Sequence, residues 1–134
     1  MHAFSLKHLP DDVLTRELRA AVGLERHALA SLLAHIAEFD ARELYLPAGC
    51  ASMYRYCVDR LKLSEDAAAK RIQVARVARD VPAILEHLAD GRIHLSGLVL
   101  LAPHVNRQNA AELLSAAARL PKAGHYIAFS LGLT

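Results

Sequence analysis

The chain has 134 residues, 54 % hydrophobic and 5 % aromatic with no tryptophan, enough for one core and one domain. Sixteen Lys and Arg against fourteen Asp and Glu leave a net charge of +2 and a pI near 8.7, so the chain as a whole is only mildly basic. No apolar run approaches the roughly 20 residues that span a bilayer, and the start, MHAFSLKHLPDD, lacks the apolar segment of a secretory signal; a cytoplasmic protein with no membrane partner is expected.

Pro10, Asp11 and Asp12 read as a helix start, with Leu14, Leu18, Ala21 and Val22 recurring every three or four residues as its inward face. Gly23 either ends this helix or weakens a longer one, since an interior Gly costs about 1 kcal/mol relative to Ala. A stronger amphipathic run follows, with Leu29, Leu32, Leu33, Ile36 and Phe39 on one face and Glu25, Arg26, Glu38 and Asp40 away from it. His27 and His35 lie about two turns apart with no acid beside them, and read as surface residues. LYLPAG at 44–49 then breaks the pattern, because Pro47 forbids a continuing helix and Gly49 permits a turn.

The stretch on which a function hangs is 52–80, SMYRYCVDRLKLSEDAAAKRIQVARVARD. It predicts a short helix capped by Ser52, with Met53, Cys57 and Leu61 inward, a tight turn at Lys62-Leu63, and a longer helix capped by Ser64. Glu65 and Asp66 sit where the positive end of the helix dipole favours carboxylates. Two helices joined so briefly are the outline of a helix-turn-helix, whose second helix enters a DNA major groove. Seven basic residues against four acids give this stretch a net +3, while residues 1–51 carry −2 and 81–134 carry +1. On a helical wheel Lys70, Gln73 and Arg76 share the outward face with Lys62 in the turn. Gln73 suits a base edge, and Lys62, Lys70 and Arg76 suit phosphates. The opposite face is small: Ala67, Ala68, Ala75 and Ala78, with Ile72 and Val74 at its edges. Arg71 falls among these alanines, where it can snorkel to solvent, anchor a buried carboxylate or meet a ligand.

Beyond this unit Asp80 can cap a helix carrying Ile84, Leu85 and Leu88, stopped by Gly91 at its C′ position. Leu95 to Ala102 reads as a short apolar helix closed by Pro103, and Asn106 can cap a last helix, Gln108 to Arg119. After Pro121 the text has neither period nor charge. The expected architecture is all-α: one compact domain over 1–120 of six or seven helices, a helix-turn-helix-like unit at 52–80, and an irregular tail over 121–134.

Enzymatic chemistry finds little to use. The phosphate-loop, dinucleotide, nucleophile-elbow and zincin signatures are all missing. Cys50 and Cys57 match no common zinc spacing and read as structural thiols. No catalytic residue, metal site or cofactor is expected.

Three segments carry a resemblance: LYLPAGC at 44–50, LSEDAA at 63–68 and DGRIHLSGLVLLAPHV at 90–105. Across roughly residues 10–120 the chain resembles the helical N-terminal region, of the 13E12-repeat or DUF222 type, of a bacterial HNH endonuclease family. The block 63–101 is more faintly similar to the helix-turn-helix of chromosome- and plasmid-partition proteins. The nuclease module of the HNH family is C-terminal, and this chain is expected to stop before one begins, as a truncated relative. The resemblance therefore implies a DNA-binding or accessory domain with double-stranded DNA as partner, and no nuclease of its own. The alternative is an interaction or homo-oligomerisation domain, using the alanine face of helix 64–79 against a partner.

Overall fold

A computed structural model describes residues 3–120, so the irregular tail expected at 121–134 lies outside the described residues. Among those residues the chain is all-helical, with six helices and no strand. They are α1 (Asp11–Ala41), α2 (Met53–Asp59), α3 (Glu65–Asp80), α4 (Ala83–Ala89), α5 (Leu95–Leu101) and α6 (Ala110–Ala118). α1 is the spine, with α3 and α4 packed along it; α2 and α5 lie against α3, and α6 against α4.

α1 begins at Pro10, whose extended backbone leads into a first turn carrying Asp11 and Asp12, and runs unbroken through Gly23 for 31 residues, about 46 Å. Gly23 does not end it. The C-terminal half is where the chain's strongest apolar period lies, and it enters the core: Leu33, Ile36, Ala30 and Ala37 are buried, with Leu29, Leu32 and Phe39 packed against them. The N-terminal half departs from expectation. Leu14, Leu18 and Val22 stay 40, 63 and 41 % exposed, and Ala21 is exposed too. Their spacing is right for an inward face, but the other five helices are too few and too short to reach that far along a rod of about 46 Å.

The end of α1 is made without glycine. Leu44 N–H bonds to Phe39 C=O at 3.2 Å and Glu43 N–H to Asp40 C=O at 3.0 Å, the paired bonds of a Schellman motif. This puts Glu43 at φ 54, a left-handed conformation that costs a side-chain-bearing residue free energy. α4 ends in the same way with Gly91 at φ 75, Arg92 N–H bonding to His87 C=O and Gly91 N–H to Leu88 C=O. The C′ stop expected at Gly91 is therefore the one observed.

The small face of α3 explains its close approach to α1. Ala68 and Ala75 are fully buried, Ala78 nearly so, and Ile72 and Val74 flank them. Most of the alanine face is thus already occupied by the chain's own core. Around it pack Met53 and Cys57 from α2, Ile84 and Leu88 from α4, Leu98 and Leu101 from α5, and Leu114 from α6. The Phe39 and Tyr56 rings stack at 4.6 Å between α1 and α2.

Smaller differences follow from local chemistry. Leu61 lies past the end of α2 and is 42 % exposed instead of inward. Asp80 closes α3 and caps nothing; α4 starts after Val81-Pro82. Asn106 caps a lead-in turn, its Oδ1 accepting from Gln108 N–H and Asn109 N–H at 2.9 Å each, so α6 begins at Ala110 instead of 108.

Candidate nucleic-acid interface

α2, the turn and α3 are built as the side chains dictate. Ser52 Oγ accepts from Arg55 N–H and Ser64 Oγ from Ala67 N–H, each at 3.1 Å, satisfying one orphan donor at the start of each helix. Between them Lys62 takes a φ of 62. The left-handed residue lets the chain reverse, with Leu63 N–H reaching back to Cys57 C=O at 3.0 Å. Lys62 is exposed at this corner, and its ammonium has no ion-pair or hydrogen-bond partner among the described residues.

α3 exposes Asp66, Ala69, Lys70, Gln73 and Arg76 along one side. The expected outward set of Lys70, Gln73 and Arg76 is therefore brought together on one face, with Lys62 at its leading end. Their electrostatic states differ. Lys70 meets Asp66 at 3.0 Å, both well exposed, a pair that water and salt readily loosen. Gln73 is free to turn toward a ligand.

Arg76 is committed elsewhere. Its Nε and Nη2 donate to the two carboxylate oxygens of Asp40 at 2.9 and 3.1 Å, with the Asp40 side chain only 15 % exposed. This two-pronged bond pushes the guanidinium's pKa above its ordinary value despite partial burial. Arg79 makes a parallel contact, donating to Glu38 at 2.9 Å, while Arg42 holds the other oxygen of Glu38 at 2.7 Å. Those two hydrogen bonds, Arg42's the stronger, depress the pKa of Glu38. Glu38 and Asp40 are thus more than the solvated side of an amphipathic helix: they are the acids that fasten α3 to α1.

Arg71 folds back along its own helix, Nη1 donating to Ala67 C=O at 3.4 Å, half-buried. Among the described residues no carboxylate is buried for it to anchor. Arg60 is used structurally, donating to Ala48 C=O at 2.7 Å.

A second polar region adjoins the far end of α3. Arg76, Asp80, Asn106, Arg107 and Gln108 rim an open groove of about 580 Å³ floored by Val77, Val81 and Val105. Arg107 leans to Asp80 C=O at 3.3 Å and to its carboxylate at 3.5 Å, and remains 74 % exposed. A helical wheel of α3 could not have found Arg107, because it arrives from the loop before α6.

Among the described residues no three His, Cys, Asp or Glu side chains gather to hold a metal ion, and Cys50 and Cys57 are buried free thiols. Burial, and secondarily the charge of Asp40, pushes the Cys57 pKa up. No helix among the described residues is long and apolar enough to cross a membrane. No protein-family profile, curated protein or solved structure matches the chain.

Proposed function

We propose that this chain is a DNA-binding or accessory helical module, resembling the N-terminal part of bacterial HNH endonucleases and acting in the cytoplasm. The observation that carries the reading is the capped α2–turn–α3 unit, with Lys70 and Gln73 exposed along one side of α3 and Lys62 exposed in the turn before it. Lys62 and Lys70 would neutralise phosphates, and Gln73 could pair bidentately with adenine in a major groove. Arg76 enters only by exchanging Asp40 for a phosphate, so it contributes little. Catalysis would belong to a separate module: the described residues offer no grouped base and metal ligands to accelerate phosphodiester hydrolysis.

With two readily available cations the duplex affinity should be weak, and log K should fall with log salt at a slope of about −2. Fluorescence anisotropy against a random duplex at several salt concentrations tests this. Lys62→Ala and Lys70→Ala should each weaken binding to all sequences alike and reduce the slope by about one. An absence of binding at low salt overturns the proposal, as does plasmid nicking that co-purifies with the chain and is abolished by EDTA.

A further inference from the structure

The first half of α1 is a structural anomaly. About fifteen helical residues run out beyond the domain with Leu14, Leu18 and Val22 uncovered. An isolated helix of that length is marginal in water, and contiguous exposed apolar surface on a folded protein marks a contact.

The positions of that surface say what kind of contact. From Leu14 to Phe39, steps of four and three residues alternate without a break through Leu18, Ala21, Glu25, Ala28, Leu32 and His35. This is the mean 3.5-residue spacing of a two-helix seam, distinct from the 3.6-period face that enters the core. None of the eight is fully buried; Leu32 and Phe39 touch the core at their inner edge, so α1 carries a second stripe that is uncovered toward its N-terminus and half-covered toward its C-terminus. The two ends of the stripe differ in shape. The N-terminal end is a ridge, Leu14 and Leu18 standing in solvent. The C-terminal end is a cleft of about 210 Å³ between α1 and α2, lined by Leu32, Phe39, Tyr56 and Leu61 among others. An apolar cavity of about 150 Å³ accepts a benzene ring, so this cleft has room for an inserted leucine.

We propose that the chain forms a homodimer through antiparallel pairing of α1, the Leu14–Leu18 ridge of one copy seated against the Phe39–Leu61 cleft of the other. A twofold axis does this twice at once, because ridge and cleft occupy opposite ends of one seam. In this register Leu14 lies level with Phe39 of the second copy, and Ala21 with Leu32, small against large. Asp11 and Asp12 come level with Arg42 at the cleft end, an exposed guanidinium that can share its bond to Glu38 with a second acid, so acid meets base at both ends. The antiparallel helix dipoles agree in sign with this arrangement. The mismatches are Glu25, brought near its own copy at the twofold, and the exposed His35, which comes level with Leu18. The inference uses α1 and the cleft alone and stands independently of DNA binding.

A seam about 38 Å long on a helix about 10 Å across covers on the order of 400 Å² per copy, half a standard interface, so dissociation should be micromolar or weaker. Sedimentation equilibrium of the full chain from micromolar to several hundred micromolar measures it. Leu18→Glu should weaken the dimer at least tenfold without altering the circular-dichroism spectrum or melting of the protomer, since Leu18 is 63 % exposed. Glu25→Leu should tighten it by about tenfold or more. Orientation is read by oxidative crosslinking, Cys50 and Cys57 being buried. Ala28→Cys, which sits within about 5 Å of its counterpart along the axis, should crosslink; Leu14→Cys, about 37 Å from its counterpart, should not. A monomer throughout the concentration range overturns the proposal and assigns the ridge to another occupant. So does a dimer indifferent to Leu18→Glu, and so does self-crosslinking of Leu14→Cys, which would make the pairing parallel.

Discussion

Glu43 offers a quantitative test of how α1 is stopped. It stands at the C′ position of a Schellman motif with φ 54, where a left-handed residue with a Cβ costs about 1–2 kcal/mol. A negative charge just past the helix C-terminus is also unfavourable, by roughly 0.3–1 kcal/mol at low salt. No side-chain hydrogen bond or ion pair among the described residues holds it in compensation. Glu43→Gly removes both penalties and gives back about 0.5–1 kcal/mol as greater freedom of the unfolded chain. The net expectation is a gain of about 1 kcal/mol, or roughly 4 °C in Tm for a domain of this size. Glu43→Ala is the matched control, because it relieves the dipole term and keeps the Cβ. Urea unfolding followed by circular dichroism should rank Gly above Ala above wild type. If Ala equals or exceeds Gly, backbone strain at this position is not what limits stability, and the reasoning fails.

Other consequences follow from the same geometry. An added Cβ at Gly23 meets nothing within 4 Å, so Gly23→Ala should raise helicity and stabilise α1 by about 0.5–1 kcal/mol, read by circular dichroism and hydrogen exchange. Lys62 shares the left-handed conformation of Glu43, so Lys62→Gly should leave the fold intact or firmer while lowering DNA affinity, whereas Arg76→Ala should cost about 1 kcal/mol of stability and barely change DNA binding. The lowered pKa of Glu38 means its two arginine bonds contribute stability above the ordinary carboxyl value of 4.5, which is lost as pH falls through the depressed folded value. Urea midpoints of wild type and Glu38→Gln should therefore differ at pH 7 and converge on acidification; a difference that persists at low pH would place the effect elsewhere.

What was legible in the chain was whatever a local rule could read. Ser52 and Ser64 announce their helices because a hydroxyl before an apolar run has one geometric use there, and both make the bond. Gly91 announces the end of α4 because glycine alone takes its conformation cheaply. Glu43 does the same work at the end of α1 and gives no signal, since nothing in its chemistry favours φ 54. The apolar period of α1 predicted a buried face along the whole helix, yet burial needs an opposing element and periodicity says nothing about the reach of the neighbours. Leu33 and Leu18 are alike in pattern and differ only in what lies across from them.

The charge count misled for a related reason. Residues 52–80 carry the excess of positive charge, which invites a nucleic-acid reading, but Arg76 and Arg79 spend theirs on Asp40 and Glu38, acids counted in the preceding segment. Part of the negative balance of residues 1–51 and of the positive balance of 52–80 is thus the two sides of a single joint. A bidentate guanidinium on a mostly buried carboxylate is strong and directional, and here it ties α3 to α1 beside the buried alanine face. Burial of the opposite face keeps Lys70 and Gln73 outward, and Lys62 stays at the corner as a cation with no competing acid among the described residues. If DNA is the partner, affinity rests on the residues that do not hold the fold together. Charge added at Ala69, which is exposed on the same side of α3, should then strengthen binding where charge removed from Arg76 does not weaken it. Ala69→Lys raising the salt slope by about one unit is the outcome this argument requires; an unchanged slope would mean that the outer face of α3 does not meet the phosphates.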